Sequence, residues 1–237
     1  MRQRVLIDRG VRASYFGLLA LTVLGCRSAP GSLVPVGAQP VSGNQVAQWV
    51  AGTIPGDHRL HRFKWLFRDE RSSAGGRGSA RIAPPDSLRF DVAGPFGSGA
   101  ASAAVLGDRP LWVQPPDAIE KLVPNYPLLW AMFGVARLPE NGAALRGLSE
   151  GAITAWQYAA ASDTIDYVRT EGRPARFVAE VRRAGKVLGR AETTLDSAGA
   201  PVSARLTVPS VPARLDLTFL STARADFAPE IWVPRKP

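Results

Sequence analysis

The sequence is built from short runs in which apolar and polar residues alternate, and turn-forming residues separate these runs. In one of them Leu88, Phe90 and Val92 alternate with polar neighbours, and Pro84-Pro85-Asp86 stands just before it. A period of two places one set of side chains on one face of a β-strand, and short turns join neighbouring strands as hairpins. The 23 Gly and 20 Pro of the chain suit such turns. The pattern predicts about eleven strands, nearly all antiparallel to their neighbours.

The predicted strands are apolar on one face only, which constrains the shape of the sheet. A sheet of so many strands twists and curls, and its apolar face must turn inward. Ahead of the strands, Ser42 is a candidate cap for a helix in which Val46, Trp49 and Val50 form one stripe. We therefore predict a mainly β fold: a curled antiparallel sheet of about eleven strands, forming an unclosed β-barrel, with an N-terminal helix and a short helical lid or plug.

The segment from Pro124 to Val135 is the most apolar part of the chain outside the N-terminal leader, and it interrupts the predicted series of hairpins. Its large apolar residues leave no polar face, so a helix begun at Pro127 must be covered on nearly all sides. The segment is too short to cross a bilayer. We expect it to pack into the concave side of the sheet. Two versions remain open: a permanent plug, or a movable lid over a lipid-sized cavity.

The N-terminus has the pattern of a targeting segment. Basic residues are followed by an apolar run over residues 15–25, the length of a signal-peptide core. The run ends in Val23-Leu24-Gly25-Cys26, which resembles the lipobox of bacterial lipoproteins. This resemblance implies removal of residues 1–25 and lipidation of Cys26, the only cysteine; two or more acyl chains hold a protein stably on a membrane. The alternatives are an uncleaved membrane anchor and a buried cysteine.

The remaining chain divides into a linker and one domain. Residues 26–42 are rich in Pro, Gly and small residues, which predicts a flexible tether, and we expect residues 43–237 to form a single domain. Arg27 follows the predicted lipidated cysteine, whereas Asp at that position retains many lipoproteins at the inner membrane of Gram-negative bacteria. The resemblance to lipoproteins therefore implies an envelope protein anchored by lipid in the outer membrane and facing the periplasm.

The layout as a whole resembles one known group of envelope proteins. A lipoprotein leader, a tether, a short helix and about eleven strands with an apolar insertion after the fifth are similar to the outer-membrane lipoprotein receptor family LolB and its carrier relative LolA. Gly94-Pro95-Phe96-Gly97 and the segment from Trp130 to Gly134 resemble LolB-type positions. The resemblance implies an unclosed barrel that shelters acyl chains, with no cofactor. The exposed apolar loop by which true receptors insert lipoproteins into the membrane has no clear counterpart.

Motifs for catalysis, metals and nucleic acids are weak or missing. His58 and His61, beside Asp57, are the only histidines, and flanking arginines favour a solvated loop or strand edge over a metal site. No Gly-x-Ser-x-Gly elbow occurs between a predicted strand and a helix, and no phosphate-binding loop is present, so we assign no catalytic residue, no metal and no enzymatic activity. The net charge is +9, and +6 without the four Arg and one Asp of residues 1–25. No basic block is interleaved with aromatics, which argues against a nucleic-acid partner.

We therefore predict a non-enzymatic, lipid-anchored protein that binds acyl chains or lipoproteins in a hydrophobic half-barrel and takes part in lipoprotein localisation. The alternative is a structural or scaffold lipoprotein with a filled core that docks an envelope protein through its edge strands. The apolar interior offers ten candidates for the cavity lining: Trp65, Phe67, Phe90, Trp112, Trp130, Met132, Phe133, Trp156, Tyr158 and Phe177.

Overall fold

One antiparallel sheet of thirteen strands accounts for most of the described structure. The computed structural model describes residues 31–94, 100–116, 125–138 and 142–234, so the predicted leader, Cys26 and most of the Gly94–Gly97 turn lie outside the described residues. The strands are β1 (Gln39–Pro40), β2 (Arg59–Arg68), β3 (Ser73–Ala83), β4 (Ser87–Ala93), β5 (Ala100–Leu106), β6 (Arg109–Gln114), β7 (Ala144–Glu150), β8 (Ile153–Ala160), β9 (Asp163–Thr170), β10 (Ala175–Arg183), β11 (Lys186–Leu195), β12 (Pro201–Val208) and β13 (Ala213–Arg224).

The order of the strands shows two sets of hairpins joined by one long-range pairing. The sheet runs β1-β7-β8-β9-β10-β11-β12-β13-β2-β3-β4-β5-β6. Strands β2 to β6 form one set and β7 to β13 the other; β13 pairs with β2 from Arg214 opposite Arg68 to Arg224 opposite Arg59. The sheet stays open between β1 and β6. The predicted fold class is confirmed, with two more strands than expected: β1, and β7, whose sequence lacks a clear apolar alternation.

The first helix, α1 (Gly43–Ala51), follows the sequence prediction. The Ser42 hydroxyl accepts a hydrogen bond from the N–H of Gln45, which satisfies one of the free donors at the helix start. Val46 and Val50 are fully buried. Trp49 lies against Gly147 on β7, where a Cβ atom would come within 2.6 Å of the indole ring. The helix therefore docks on the sheet through its apolar stripe, and β7 needs glycine at the contact.

The second helix, α2 (Tyr126–Ala131), fills the concave side of the sheet. It begins one residue before the predicted start at Pro127, and every residue from Pro127 to Ala131 is buried. It packs against β10 and β11, where the Thr193 hydroxyl donates to the Ala131 carbonyl at 2.7 Å. The turn that follows the helix contains Gly134, whose φ of +76° suits glycine, and the N–H of Val135 donates to the Trp130 carbonyl.

The core between α2 and the sheet is packed with aromatic rings. Phe63, Phe90, Phe133 and Phe219 form one group, with ring centroids 5.5–6.3 Å apart. A second group of rings in contact consists of Trp156, Tyr158, Tyr167 and Phe177. These separations are typical of stabilising aromatic pairs. The concavity under α2 is thus largely filled by side chains.

The convex face of the sheet, which points away from this core, holds segments from both ends of the described chain. Near the N-terminus, Asp166 accepts hydrogen bonds from the Ser32 hydroxyl at 2.8 Å and from the Leu33 N–H at 2.9 Å. Arg182 forms ion pairs with Asp166 and Glu180, and it also donates to the Gly31 carbonyl. The part of the predicted tether from residue 31 onward therefore lies on the sheet.

At the other end of the chain, a 3-10 helix (Pro229–Trp232) crosses the convex face over β4 and β6. Arg89 is almost fully buried there and donates to the Ile231 carbonyl, and the Trp112 indole donates to the Trp232 carbonyl at 2.7 Å. Within the described ranges, no helix is both long and apolar enough to cross a membrane.

Candidate functional site

A groove of about 650 Å³ opens at one end of the curled sheet, beside the residues that follow α2. Its volume lies within the range of small-molecule sites. The apolar floor is formed by residues from four separate stretches of chain: Ile82, Phe133, Val135, Leu195 and Phe219. The polar part includes both charged and neutral side chains: Arg59, His61, Arg169, Asp196 and Thr222. The groove therefore combines an apolar floor with a polar rim.

The groove exists because neighbouring strands end at different levels. The pairing between β12 and β13 stops at Ser203 opposite Thr218, whereas β13 continues to Arg224 beside β2. The extra residue of a β-bulge, Leu220, lies in this overhanging part of β13 and lines the groove with half of its surface exposed. Beyond the end of β12, residues 196–200 and the loop after α1, residues 52–56, form the side walls.

Phe133 and Val135 connect the groove to α2. Both are buried residues of the turn that ends the helix, and both also border the groove. Between them, Gly134 lies so close to Leu195 that a Cβ atom would be 2.9 Å from its side chain. The end of α2 thus forms the floor of the groove, so a ligand there would touch the helix end without entering the filled core.

His61 is the titratable group deepest in the groove. Its side chain is 3% exposed, its Nδ1 lies 2.9 Å from the Thr222 hydroxyl, and its ring packs against Phe133 and Phe219. Burial, and secondarily the positive charge of Arg59, lowers the pKa of His61 from 6.5 to about 4. The imidazole is therefore neutral at neutral pH, and the floor of the groove carries no charge there.

Arginines dominate the rim of the groove. Arg59 lies 3.4 Å from Asp57, which also pairs with Arg224 at 2.8 Å. Arg169 donates to the Gly52 carbonyl at 2.9 Å and pairs with Glu171 at 2.7 Å. The lining itself contains two guanidinium groups, those of Arg59 and Arg169, and one carboxylate, that of Asp196.

Most of the ten predicted lining residues lie in the packed core. Only Phe133 also borders the groove. Trp65 and Phe67 are half-buried on the concave side of β2. The fully enclosed residues are Phe90, Trp130, Met132, Trp156, Tyr158 and Phe177.

The prediction that Trp112 faces the concavity is wrong. Trp112 pairs with Ala104, which in turn pairs with Arg89, so all three project from the convex face. The Arg89 guanidinium stacks 5.1 Å from the Trp112 ring. Strand β6 is short and begins with exposed residues, so its sequence does not show which of its two alternating sets turns inward.

The two histidines do not converge. His61 points into the core, whereas His58 is exposed and stacks on Phe227 at 5.3 Å. Within the described ranges, no three His, Cys, Asp or Glu residues are placed to hold a metal ion.

Two tyrosines inside the core also have shifted pKa values. Burial raises the pKa values of Tyr158 and Tyr167, whose hydroxyls lie 3.4 Å apart.

The residues that sequence reasoning missed are Arg59, Arg169, Leu195 and Phe219. Leu195 and Phe219 were visible only as apolar positions of strands. Their meeting with Phe133 depends on which strand ends come together, and no local signal carries that information.

Comparisons with known proteins identify the fold. No family model and no curated protein matches the sequence. Among solved structures, a LolA superfamily protein from Nitrosomonas europaea aligns over 82% of this chain and 98% of its own, with a TM-score of 0.52 and 11% identity. The chain has a LolA-like fold. A DUF1329 family protein from Desulfovibrio piger aligns over 81% of this chain and 95% of its own. Its TM-score of 0.33 and identity of 7% are too low to support an inference about this protein.

The LolA-like fold confirms the predicted resemblance at the level of architecture. An open antiparallel sheet around a short buried helix is what the sequence layout implied. The narrower resemblance to LolB stays a prediction, because a structural match at 11% sequence identity supports the fold alone.

Proposed function

We propose that this protein is a non-enzymatic, lipid-anchored envelope protein that binds acyl chains, free or as part of lipoproteins, at the groove. The observation that carries this proposal is the combination of an apolar floor and a rim that carries Arg59 and Arg169 at the open end of a LolA-like fold. An apolar cavity with a few polar groups at its edge is the usual form of a small-molecule site. We further propose that the anchor is lipid on Cys26 and that the domain faces the periplasm from the outer membrane.

The groove suits a ligand with an apolar tail and an acidic head. Each methylene buried on the floor formed by Ile82, Leu195 and Phe219 contributes about 0.8 kcal/mol. A carboxylate or phosphate head group would then lie near the guanidinium groups of Arg59 and Arg169, which are suited to both anions. Neutral His61 keeps the floor free of charge, so the apolar tail does not meet a buried ion.

A fluorescent fatty acid titrated into the full chain carrying Cys26→Ser tests this proposal. Leu220 and Leu111 form a matched pair, since each is 52% exposed and only Leu220 lines the groove. We expect Leu220→Glu to weaken binding about tenfold or more, because it removes apolar contact and places a carboxylate beside the acidic head group. Leu111→Glu should leave binding unchanged. No binding by the parent chain, or equal losses in both variants, would refute the proposal.

A second candidate is a scaffold lipoprotein that docks a protein partner through an edge strand. The observation in its favour is that α2 fills the interior, while β6 forms an edge of the sheet with Leu111 exposed. A crosslinker placed at Leu111 would then recover one partner in fixed stoichiometry, and native mass spectrometry would detect no bound lipid. Recovery of lipid without a partner would favour the groove instead.

A further inference from the structure

The convex face carries a strip of positive charge on β2 and β3. Neither strand contains Asp or Glu. The outward side chains of Arg62, Lys64, Arg68 and Arg77 are all exposed, and none of the four forms an ion pair with another described residue. We call these four residues the basic strip. In the sequence they look scattered, but the period of two places all of them on one face of the sheet.

Several cations of this face lie directly opposite one another. Lys64 pairs with Arg77 across β2 and β3, and Arg68 pairs with Arg214 across β2 and β13. Like charges in directly opposed positions destabilise a sheet. Arg214 forms an ion pair with Asp216, whereas Lys64 and Arg77 have no ion-pair partner among the described residues. Folding alone does not require this arrangement, and an external anion would neutralise it.

The predicted lipid anchor leaves the domain from the same face. Gly31 and Ser32 are held on the convex side of β9 and β10 by Arg182 and Asp166. Cys26 lies five residues before Gly31, and five residues span at most about 18 Å. Five strand spacings of about 4.8 Å separate β9 from β2, roughly 24 Å along the sheet. The anchor and the basic strip thus lie within reach of one bilayer surface.

We propose that the basic strip docks the convex face on anionic lipid head groups of the membrane that holds the anchor. This inference rests on the lipidation of Cys26 in the proposed function and adds an orientation to it. The short pinned N-terminus keeps the convex face near the bilayer, and the exposed cations contact the head groups. The open end of the groove then lies at the side of the docked domain, where a ligand can enter.

Vesicle binding by the full Cys26→Ser chain tests the docking without any contribution from the lipid anchor. Sedimentation is compared between vesicles of equal parts phosphatidylglycerol and phosphatidylcholine and vesicles of phosphatidylcholine alone. The test variant combines Arg62→Gln, Lys64→Gln and Arg77→Gln. Since each cation near an anionic surface contributes about 1 kcal/mol, the preference for the anionic vesicles is expected to fall on the order of a hundredfold. Added salt should weaken binding of the parent chain in the same way.

The matched control removes the same charges elsewhere, with Arg109→Gln, Arg173→Gln and Lys186→Gln, all exposed residues at hairpin turns or strand ends. It should keep most of the anionic preference. All three chains share residues 1–25, so any binding by the leader is common to them. Equal losses in the two variants, or a parent chain indifferent to phosphatidylglycerol, would overturn the proposal.

Two further measurements keep the outcomes distinct. Urea unfolding should find the strip variant at least as stable as its parent, because the Lys64–Arg77 repulsion is gone, so lost binding cannot be ascribed to unfolding. Fatty-acid titration of the same variant reports on the groove. Loss of vesicle binding with fatty-acid binding retained supports docking, whereas retention of both vesicle binding and fatty-acid binding refutes docking and leaves the proposed function intact.

Discussion

Acidification should destabilise this protein in part through the buried residue His61. In the folded state its pKa is lowered to about 4, mainly by burial against Phe133 and Phe219, from an ordinary value of 6.5. Each pKa unit corresponds to about 1.4 kcal/mol, so protonating His61 within the fold costs roughly 3 kcal/mol relative to the unfolded chain. This is a large share of the stability of a typical domain.

The direction of this pH effect follows from which state, folded or unfolded, binds the proton on His61. Between about pH 6.5 and pH 4 the unfolded chain holds a proton on His61 and the folded protein does not. The free energy of unfolding should therefore be insensitive to His61 above pH 6.5 and should fall as the pH drops toward 4. Below pH 4 both states are protonated, and the loss is complete.

Urea unfolding at pH 7, 5.5 and 4 measures this effect, and His61→Gln removes the titrating group. Carboxylates also titrate in this range, but they are common to all chains, so the difference between parent and variant isolates His61. We expect His61→Gln to lose roughly 3 kcal/mol less than the parent between pH 7 and pH 4. In His58→Gln, His61 is the only histidine, so the acid-induced loss should persist, and its ring signals in NMR spectra should titrate near pH 4. A midpoint near 6.5, or parallel curves for parent and His61→Gln, would refute the assigned burial.

Three other substitutions probe the plug, the convex-face ion pair and the helix end. Trp130→Ala should lower the free energy of unfolding by about 3–5 kcal/mol, because it leaves a cavity where a residue only 1% exposed was packed and removes the indole donor of the Gly107 carbonyl. Urea unfolding measures this; a decrease below about 1 kcal/mol would indicate a lid that leaves the core easily. Asp166→Asn should cost about 3–5 kcal/mol, since it leaves the buried Arg182 with one ion-pair partner fewer, and limited proteolysis should then cut residues 31–38 faster. Gly134→Ala should cost about 1–2 kcal/mol, because its φ of +76° disfavours a side chain; an unchanged melting temperature would contradict this.

The regular features of this fold could be predicted because they follow from local patterns. Leu88, Phe90 and Val92 point inward as their period of two implies, and Ser42 caps α1 as its position suggests. The segment containing α2 is buried because it has no polar face to expose.

The remaining features depend on which distant segments meet. Arg89 occupies an outward position of β4 and is nevertheless buried, because the segment around Ile231 crosses it. Likewise, the groove forms where the end of β12 meets an overhanging β13, and nothing in either strand alone marks the difference in length. The sequence of β6 does not show which face Trp112 occupies for the same reason. Trp112 lies on the convex face because it packs against Arg89 and hydrogen-bonds to Trp232, and both residues are distant in the sequence.

The pairing of β13 with β2 has a consequence for how the protein is made. During synthesis β2 leaves the ribosome more than a hundred residues before β13, its neighbour in the finished sheet. Until then, one side of β2 has no strand to pair with, and such an edge invites aggregation. Strand β2 contains no acidic residue and carries Arg62, Lys64 and Arg68, so it is positively charged while it is still unpaired. Two nascent chains therefore repel each other at this strand. The charges proposed to hold the mature domain on a membrane would also keep unfinished chains apart.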